Sequence, residues 1–126
     1  MSGRRTLPPR RPSVTERIAM PVAGVGAPFH AHVTLGYDPA SGLPAEIFAR
    51  STGRTTTFID CELDDVAVLI SVALQHGVPA AVLAKSMSRA PDPLTGKPVA
   101  LSFAAHLVDH VAARTKEAGE GRDAEG

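Results

Sequence analysis

The sequence predicts a mixed α+β fold in which a small antiparallel β-meander of two to three strands packs against three helices. Two patterns carry this prediction. Apolar and polar side chains alternate over residues 29–37, which indicates a half-buried strand. Apolar residues then recur at helical spacing over residues 58–76, which is typical of a helix that packs on a core. A chain of 126 residues has the usual size of one domain.

Three segments in the N-terminal half have the character of strands. Residues 14–22 alternate weakly, and the run AGVGAP that follows indicates a turn. In FHAHVTLGY, residues 29–37, the aromatic and aliphatic side chains share one face, and His30 and His32 lie on the other. DPASG supplies turn residues, so residues 45–50, AEIFAR, are predicted to be the returning strand of a hairpin.

The first helix is predicted over residues 58–76. Val68 and Val72 lie opposite its main apolar face, so we expect this helix to be buried on much of its surface and to be the most buried element. Gly77 supplies a left-handed C-cap, and Pro79 suits the first turn of a second helix over about residues 80–88.

The remaining C-terminal part is predicted to be a loop followed by a third helix. SRAPDPLTGKP, residues 88–98, has the composition of a loop. An amphipathic helix follows over about residues 99–115 and completes a single domain over residues 13–115. Residues 1–12 are expected to be a basic flexible arm and residues 116–126 a disordered acidic tail, because neither has enough apolar surface to fold alone.

The amino-acid composition limits the classes of function that the chain can have. Thirteen Lys and Arg residues balance thirteen Asp and Glu residues, so the chain as a whole is not an electrostatic partner for nucleic acid or a membrane. No apolar run approaches the roughly 18–20 residues of a membrane span. The single cysteine, Cys61, excludes an internal disulfide and a Cys-x-x-Cys site within one chain. We therefore expect a cytoplasmic protein.

Few side chains suggest chemistry. His106 and His110 stand four apart on the third helix, a spacing that suits a metal, but HLVDH lacks the glutamate of zinc proteases and no third ligand is visible. A solvated helix side explains them more simply. His30 and His32 read as exposed polar positions, and Cys61 lies near a helix N-terminus with no adjacent histidine. We expect no catalytic residue, no metal and no cofactor.

The loop STGRTTT is the candidate ligand site. It is rich in hydroxyls and places an arginine just before a helix N-terminus, a setting that suits an anion or a phosphate group. The helix begins with the acids Asp60, Glu62, Asp64 and Asp65, which suit the positive end of the helix dipole and must point away from a bound anion. The candidate ligand-binding residues are Ser51, Thr52, Gly53, Arg54, Thr55, Thr56 and Thr57.

The segment PAEIFARSTGRTTTFIDCELDDVAVLISVALQHGVPAAVLAKSM resembles the TSCPD domain, the C-terminal module of adenosylcobalamin-dependent (class II) ribonucleotide reductases. In that family a strand ending in a G-E-I-F-like run leads through a K-x-G-S-T-like loop into a helix reading like A-I-A-I-S-L-A-L-Q-Y-G-V-P. The opening RRTLPPRRPSVTERI is similar to the start of small stand-alone bacterial members, so the resemblance covers about residues 4–110. The matching residues are Ala45, Glu46, Ile47 and Phe48 in the strand and Ser71, Ala73, Leu74, Gln75, Gly77, Val78 and Pro79 in the helix and its stop.

The resemblance implies a link to ribonucleotide reduction without the activity itself. The pentapeptide TSCPD is absent, and there is no cysteine-pair tail. The resemblance would give the chain the label ribonucleoside-diphosphate reductase. That enzyme needs a radical-forming cysteine and a reducing cysteine pair in a large barrel. A chain with one cysteine cannot supply these groups. The resemblance thus implies a non-catalytic accessory or regulatory module that binds a nucleotide or similar metabolite and is linked to deoxynucleotide and DNA synthesis.

A protein-interaction module without a small-molecule ligand is the alternative. Such a module would pair through the open edge of its sheet or through the arginine-rich arm. Its partners would be ribonucleotide reductase subunits or a second copy of the chain. Sequence-specific nucleic-acid binding is not expected, because no base-stacking aromatic residues accompany the arginines of the arm.

Overall fold

The computed structural model describes residues 3–4, 6–21, 28–53 and 57–125, with the backbone alone at 57 and 121–125. A three-stranded antiparallel sheet, a two-stranded ladder and three helices confirm the predicted α+β class. The elements in chain order are β1 (Ser13–Met20), β2 (Phe29–Tyr37), β3 (Pro44–Ser51), α1 (Thr57–Gln75), α2 (Ala80–Lys85), β4 (Arg89–Pro91), β5 (Pro98–Ala100) and α3 (Phe103–Glu125).

The three long strands form a meander in the order β1-β2-β3. The alternation predicted for β2 is confirmed, since Ala31, Val33 and Leu35 are buried and His32 is exposed. Leu35 pairs with Ile47 of β3, so the apolar faces of the two strands continue each other. The helices cover this inner face, and the outer face remains accessible at Arg17, His32, Phe48 and Arg50.

The core lies between the inner face of the sheet and helices α1 and α3. At one end, the rings of Phe29 and Phe103 pack with centroids 5.0 Å apart and planes tilted by 47°. The largest fully buried side chains are Met20, Leu35, Ile47, Leu63, Leu107, Val33, Val108 and Val111.

Hydrogen bonds as well as apolar packing fix α1 to β3. The Ser71 hydroxyl accepts a hydrogen bond from the Ile47 N–H (2.9 Å) and donates one to the Ile47 carbonyl (3.2 Å). Gln75 Nε2 donates to the carbonyl of Ala45 (3.0 Å). Because β3 is an edge strand, these side chains occupy backbone groups that an added strand would need. The β3 edge is closed at these positions.

The predicted stop after α1 is confirmed. Gly77 has a φ of 90°, and its N–H donates to the carbonyl of Leu74 (3.0 Å). The Val78 N–H reaches back to the carbonyl of Ala73 (3.0 Å), which completes the C-cap. Pro79 is the N-cap of α2, just outside the helix, and α2 is shorter than the predicted 80–88.

Helix α1 is less buried than predicted. Val68 is 57% exposed and Leu69 is 70% exposed. Strand β3, with five of its eight residues buried, is the more buried element. Apolar spacing identified the inner face correctly, but burial of the opposite side needs a second covering element, and the described part of the chain supplies none.

The region after α2 also differs from the prediction. Within residues 88–98, predicted to be a loop, Arg89 pairs with Ala100 and Pro91 with Pro98, which makes β4 and β5 a short hairpin. Helix α3 consequently begins at 103 rather than 99. It then continues through residues 116–125, which we expected to be a disordered tail. Strands of three residues that contain prolines give too little alternation to be recognised.

The N-terminal arm, predicted to be flexible, packs on the domain where the structure describes it. The Arg11 guanidinium forms an ion pair with the buried Glu46, and Arg4 Nε donates to Gln75 Oε1. Glu46 lies over Gly36, where a Cβ atom would be 2.6 Å from Glu46 Cγ. A glycine at 36 therefore makes room for the carboxylate that holds the arm.

An ion pair joins β1 to α3. Arg114 Nε and Nη2 donate to the two carboxylate oxygens of Glu16, at 2.9 and 2.6 Å. The hydrogen bond from Arg114 lowers the pKa of Glu16 below its ordinary value, although partial burial opposes the shift.

Replacement of Ser71 with Ala tests the link between α1 and β3. We expect S71A to lower the free energy of unfolding by about 1–3 kcal/mol, because the buried N–H of Ile47 loses its acceptor. Urea unfolding measures the change. The control S88A, at an exposed serine, should stay within about 0.5 kcal/mol of wild type. Equal effects of the two substitutions would contradict this role for Ser71.

Replacement of Glu16 with Gln tests the ion pair with Arg114 through its pH dependence. Since the folded pKa of Glu16 lies below the ordinary value of 4.5, its carboxylate stabilises the fold above that pH. The contribution disappears as the pH falls through the lowered folded pKa. Thermal unfolding should give E16Q a lower Tm than wild type at pH 7, with the difference becoming smaller as the pH falls below 4.5. A difference that does not change with pH would rule out the carboxylate as its source.

Candidate functional site

The structure describes only part of the predicted ligand loop. Ser51 ends β3 and Thr57 begins α1. Between them Thr52 and Gly53 are exposed, and the backbone N–H of Thr52 donates to the carbonyl of His30 (3.2 Å). The predicted site residues that lie outside the described residues are Arg54, Thr55 and Thr56.

Two acids of α1 face the described end of this loop. Ser51 Oγ donates a hydrogen bond to Asp60 Oδ1 (2.9 Å). Asp60 and Asp64 line a cavity of about 390 Å³ together with Ala49, Arg50 and Ser51. Binding of an anion at this end of the loop requires the two acids to point away from it, but both face it. Carboxylates so placed repel a phosphate group.

The outer face of the sheet carries a row of basic side chains. Arg17 of β1 is the register partner of His32 of β2, and His32 is the partner of Arg50 of β3. All three residues are exposed. Adjacent strands lie about 4.8 Å apart, so the two arginines flank the histidine over a span of about 10 Å. We call Arg17, His32 and Arg50 the basic row.

The neighbouring row of the same face holds two hydroxyls and an aromatic ring. Thr15 pairs with Thr34, and Thr34 pairs with Phe48. The two threonine hydroxyls are hydrogen-bonded to each other (2.7 Å), and Phe48 is 55% exposed. Phe48 stands two residues before Arg50, about 7 Å along the strand on the same face. An aromatic surface therefore lies beside the basic row.

The charged side chains of this face are mostly positive. A solvated antiparallel sheet face needs polar residues but not a particular charge. Along the paired positions of the outer face, the one described acid is Glu46, which Arg11 neutralises. The face thus differs from an ordinary wet surface, although Arg50 also borders the cavity that holds Asp60 and Asp64.

Sequence reasoning missed this arrangement. Alternation in β2 placed His32 on a polar face, but the arginines and the phenylalanine come from strands far apart in sequence. The register of two strand pairs brings them together. The sequence indicated only that each of these residues points outward from its own predicted strand. That pattern does not tell which residues become neighbours across the sheet.

The other candidate residues have structural surroundings. His106 Nε2 lies 2.9 Å from the carbonyl oxygen of Pro21, so one ring nitrogen is hydrogen-bonded to the backbone. Burial lowers the pKa of His110, which favours the neutral ring. Cys61 is exposed on α1. Across the described ranges, no group of three or more His, Cys, Asp or Glu side chains could hold a metal ion.

A cavity of about 950 Å³ forms a groove between the turn after β2, the start of α2 and the middle of α3. Its walls are mostly apolar and include Leu43, Leu74 and Val78. Of the polar side chains along it, Thr115 donates to the carbonyl of Val111, and Gln75 is held by the arm and β3. The other polar residues of the lining are Asp38, Ser41, His76 and Lys116, and apolar surface predominates.

Within the described residues, no helix combines the length and the apolar character that crossing a membrane requires. Comparisons of the chain with protein-family models, with curated proteins and with solved structures found no match.

Proposed function

We propose that the chain is a non-catalytic binding module for a nucleotide, with the ligand on the outer face of the sheet. The basic row carries this proposal. Two arginines and a histidine, spaced across three strands, suit the several negative charges of a polyphosphate, and guanidinium groups form strong charge-assisted hydrogen bonds to phosphate.

Phe48 supports a nucleotide over an inorganic anion. Nucleobases stack on exposed aromatic rings, and such stacking contributes about 1–3 kcal/mol per base. With phosphates on the basic row, a base attached through its sugar reaches the ring of Phe48 one side-chain row away. The two threonine hydroxyls beside the ring offer hydrogen bonds to a sugar or a base edge.

The resemblance to the C-terminal module of class II ribonucleotide reductases supports the biological setting. A stand-alone nucleotide-binding module of this kind would act as an accessory or regulator of deoxynucleotide synthesis. The proposal moves the ligand from the loop STGRTTT to the sheet, because the acids beside Ser51 disfavour an anion there.

A protein-interaction role is the second candidate, and exposed apolar side chains on α1 favour it. Phe58, Val68 and Leu69 are each more than half exposed on this helix. This surface and the basic row consist of different side chains, so the two roles are compatible.

Substitutions in the two rows separate phosphate recognition from base recognition. In calorimetric titrations at low salt, R17A should weaken binding of both ATP and inorganic triphosphate by roughly tenfold, since a charge-assisted hydrogen bond contributes about 1.5 kcal/mol or more. F48A should weaken ATP by about 1–3 kcal/mol and leave triphosphate binding unchanged. K97A, which removes an exposed charge from the β4–β5 hairpin, is the control and should bind like wild type. Equal effects of R17A and K97A would exclude the basic row as the site.

Removal of a nearby negative charge should strengthen binding. Asp64 lines the cavity that Arg50 borders, so D64N should raise the affinity for triphosphate about twofold, the size expected for a screened surface charge. D65N, on the same helix but outside the cavity lining, is the matched control and should change the affinity less. Weaker binding by D64N would argue against an anion beside Arg50.

A further inference from the structure

The outer side of α1 combines length, apolar character and exposure. Phe58 is 72% exposed, Val68 57% and Leu69 70%. A helix that is apolar on both its inner and outer sides is typical of one that is covered on both. Val68 and Leu69 are adjacent in the uncharged half of the helix, whereas Phe58 lies about 16 Å away along the axis. Exposed apolar side chains of this size mark interaction surfaces in soluble proteins.

This surface holds both a protrusion and a recess. Leu69 projects from the helix at the rim of a depression of about 210 Å³ between α1, α2 and α3. The depression is large enough for a leucine side chain. Its lining is apolar throughout and consists of Val66, Leu69, Ile70, Ala73, Leu83, Met87, Ala104 and Val108.

We propose that this surface is the interface of a homodimer in which two α1 helices pack antiparallel about a twofold axis. A twofold interface joins the same patch on both copies and must therefore be self-complementary. Here each copy carries its own protrusion and its own recess, so Leu69 of one copy enters the depression of the other. A different partner protein would require only one of these two features.

The charges along α1 set the direction of the pairing. All four acids of the helix lie at positions 60–65, and residues 66–75, VAVLISVALQ, include no charged side chain. Two parallel helices would place the acids side by side, which is destabilising. Antiparallel helices that cross near Leu69 place the acids of each copy opposite the C-terminal end of α1 in the other, which carries no acid. Exposed His76, just after the helix, then lies opposite the acids of the second copy.

The proposed dimer leaves the basic row accessible on each copy. Helix α1 packs on the inner face of the sheet, and its outer side points away from it. The proposal does not depend on nucleotide binding, so either can fail alone.

Sedimentation equilibrium of the full chain at about 1–200 µM tests the dimer. Wild type should show twice the 13.1 kDa of one chain at the upper concentrations. L69E should raise the dissociation constant at least about 100-fold, since a central interface side chain counts twice about a twofold axis. L94E is the matched control, because Leu94 is 95% exposed in the turn between β4 and β5. Its dissociation constant should equal that of wild type.

Circular dichroism of L69E establishes that the helices are intact, and V68D is a second variant expected to dissociate the dimer. The association should persist in 1 M NaCl, because apolar contacts are not screened by salt. Loss of the dimer in high salt would instead indicate head-to-tail contact between the basic row and the acids of α1. Loss of the dimer in high salt would overturn the proposal. So would a wild-type chain that is monomeric at every concentration, or an L69E dimer as strong as that of L94E.

Discussion

The attachment of α1 to the edge of β3 by two side chains governs the arrangement of the whole domain. Ser71 and Gln75 stand four residues apart on the helix, an axial rise of about 6 Å. Their acceptors at Ile47 and Ala45 stand two residues apart on the strand, about 6.6 Å. The two repeats match, and because Ser71 bonds Ile47 while Gln75 bonds the earlier residue Ala45, the helix runs antiparallel to the strand. This match fixes the register of α1 and sets its apolar inner face over the sheet.

The same attachment determines which surfaces are left for function. With α1 lying along the β3 edge and the inner face of the sheet, the outer sheet face and the outer side of the helix stay exposed. The first is basic, and the second carries the exposed acids Glu62 and Asp65 near its start. The net charge of zero conceals this separation. A ligand meets the local field of one face, so a balanced composition does not exclude an anionic partner.

The elements with strong local signals were predictable. Strand β2 matches the predicted residues 29–37, because alternation and flanking turn residues agree, and Gly77 has the predicted positive φ. The short hairpin of β4 and β5 gave no such signal. Exposure of Val68 and Leu69 was not predictable either, since a sequence pattern records which residues are apolar but not which neighbours cover them. The basic row depends on two pairing registers, which no single strand encodes.

The run that carries the resemblance to the TSCPD domain has a structural explanation in this fold. Ser71 and Gln75 hold the edge of β3, Gly77 ends α1, and Pro79 precedes α2. These residues hold the helix on the strand whatever the ligand of the domain. The run therefore bears on architecture, and similarity in it does not transfer an activity. Nucleotide recognition has to be argued from Arg17, Arg50 and Phe48, whose side chains point to the other face of the sheet and play no part in that packing.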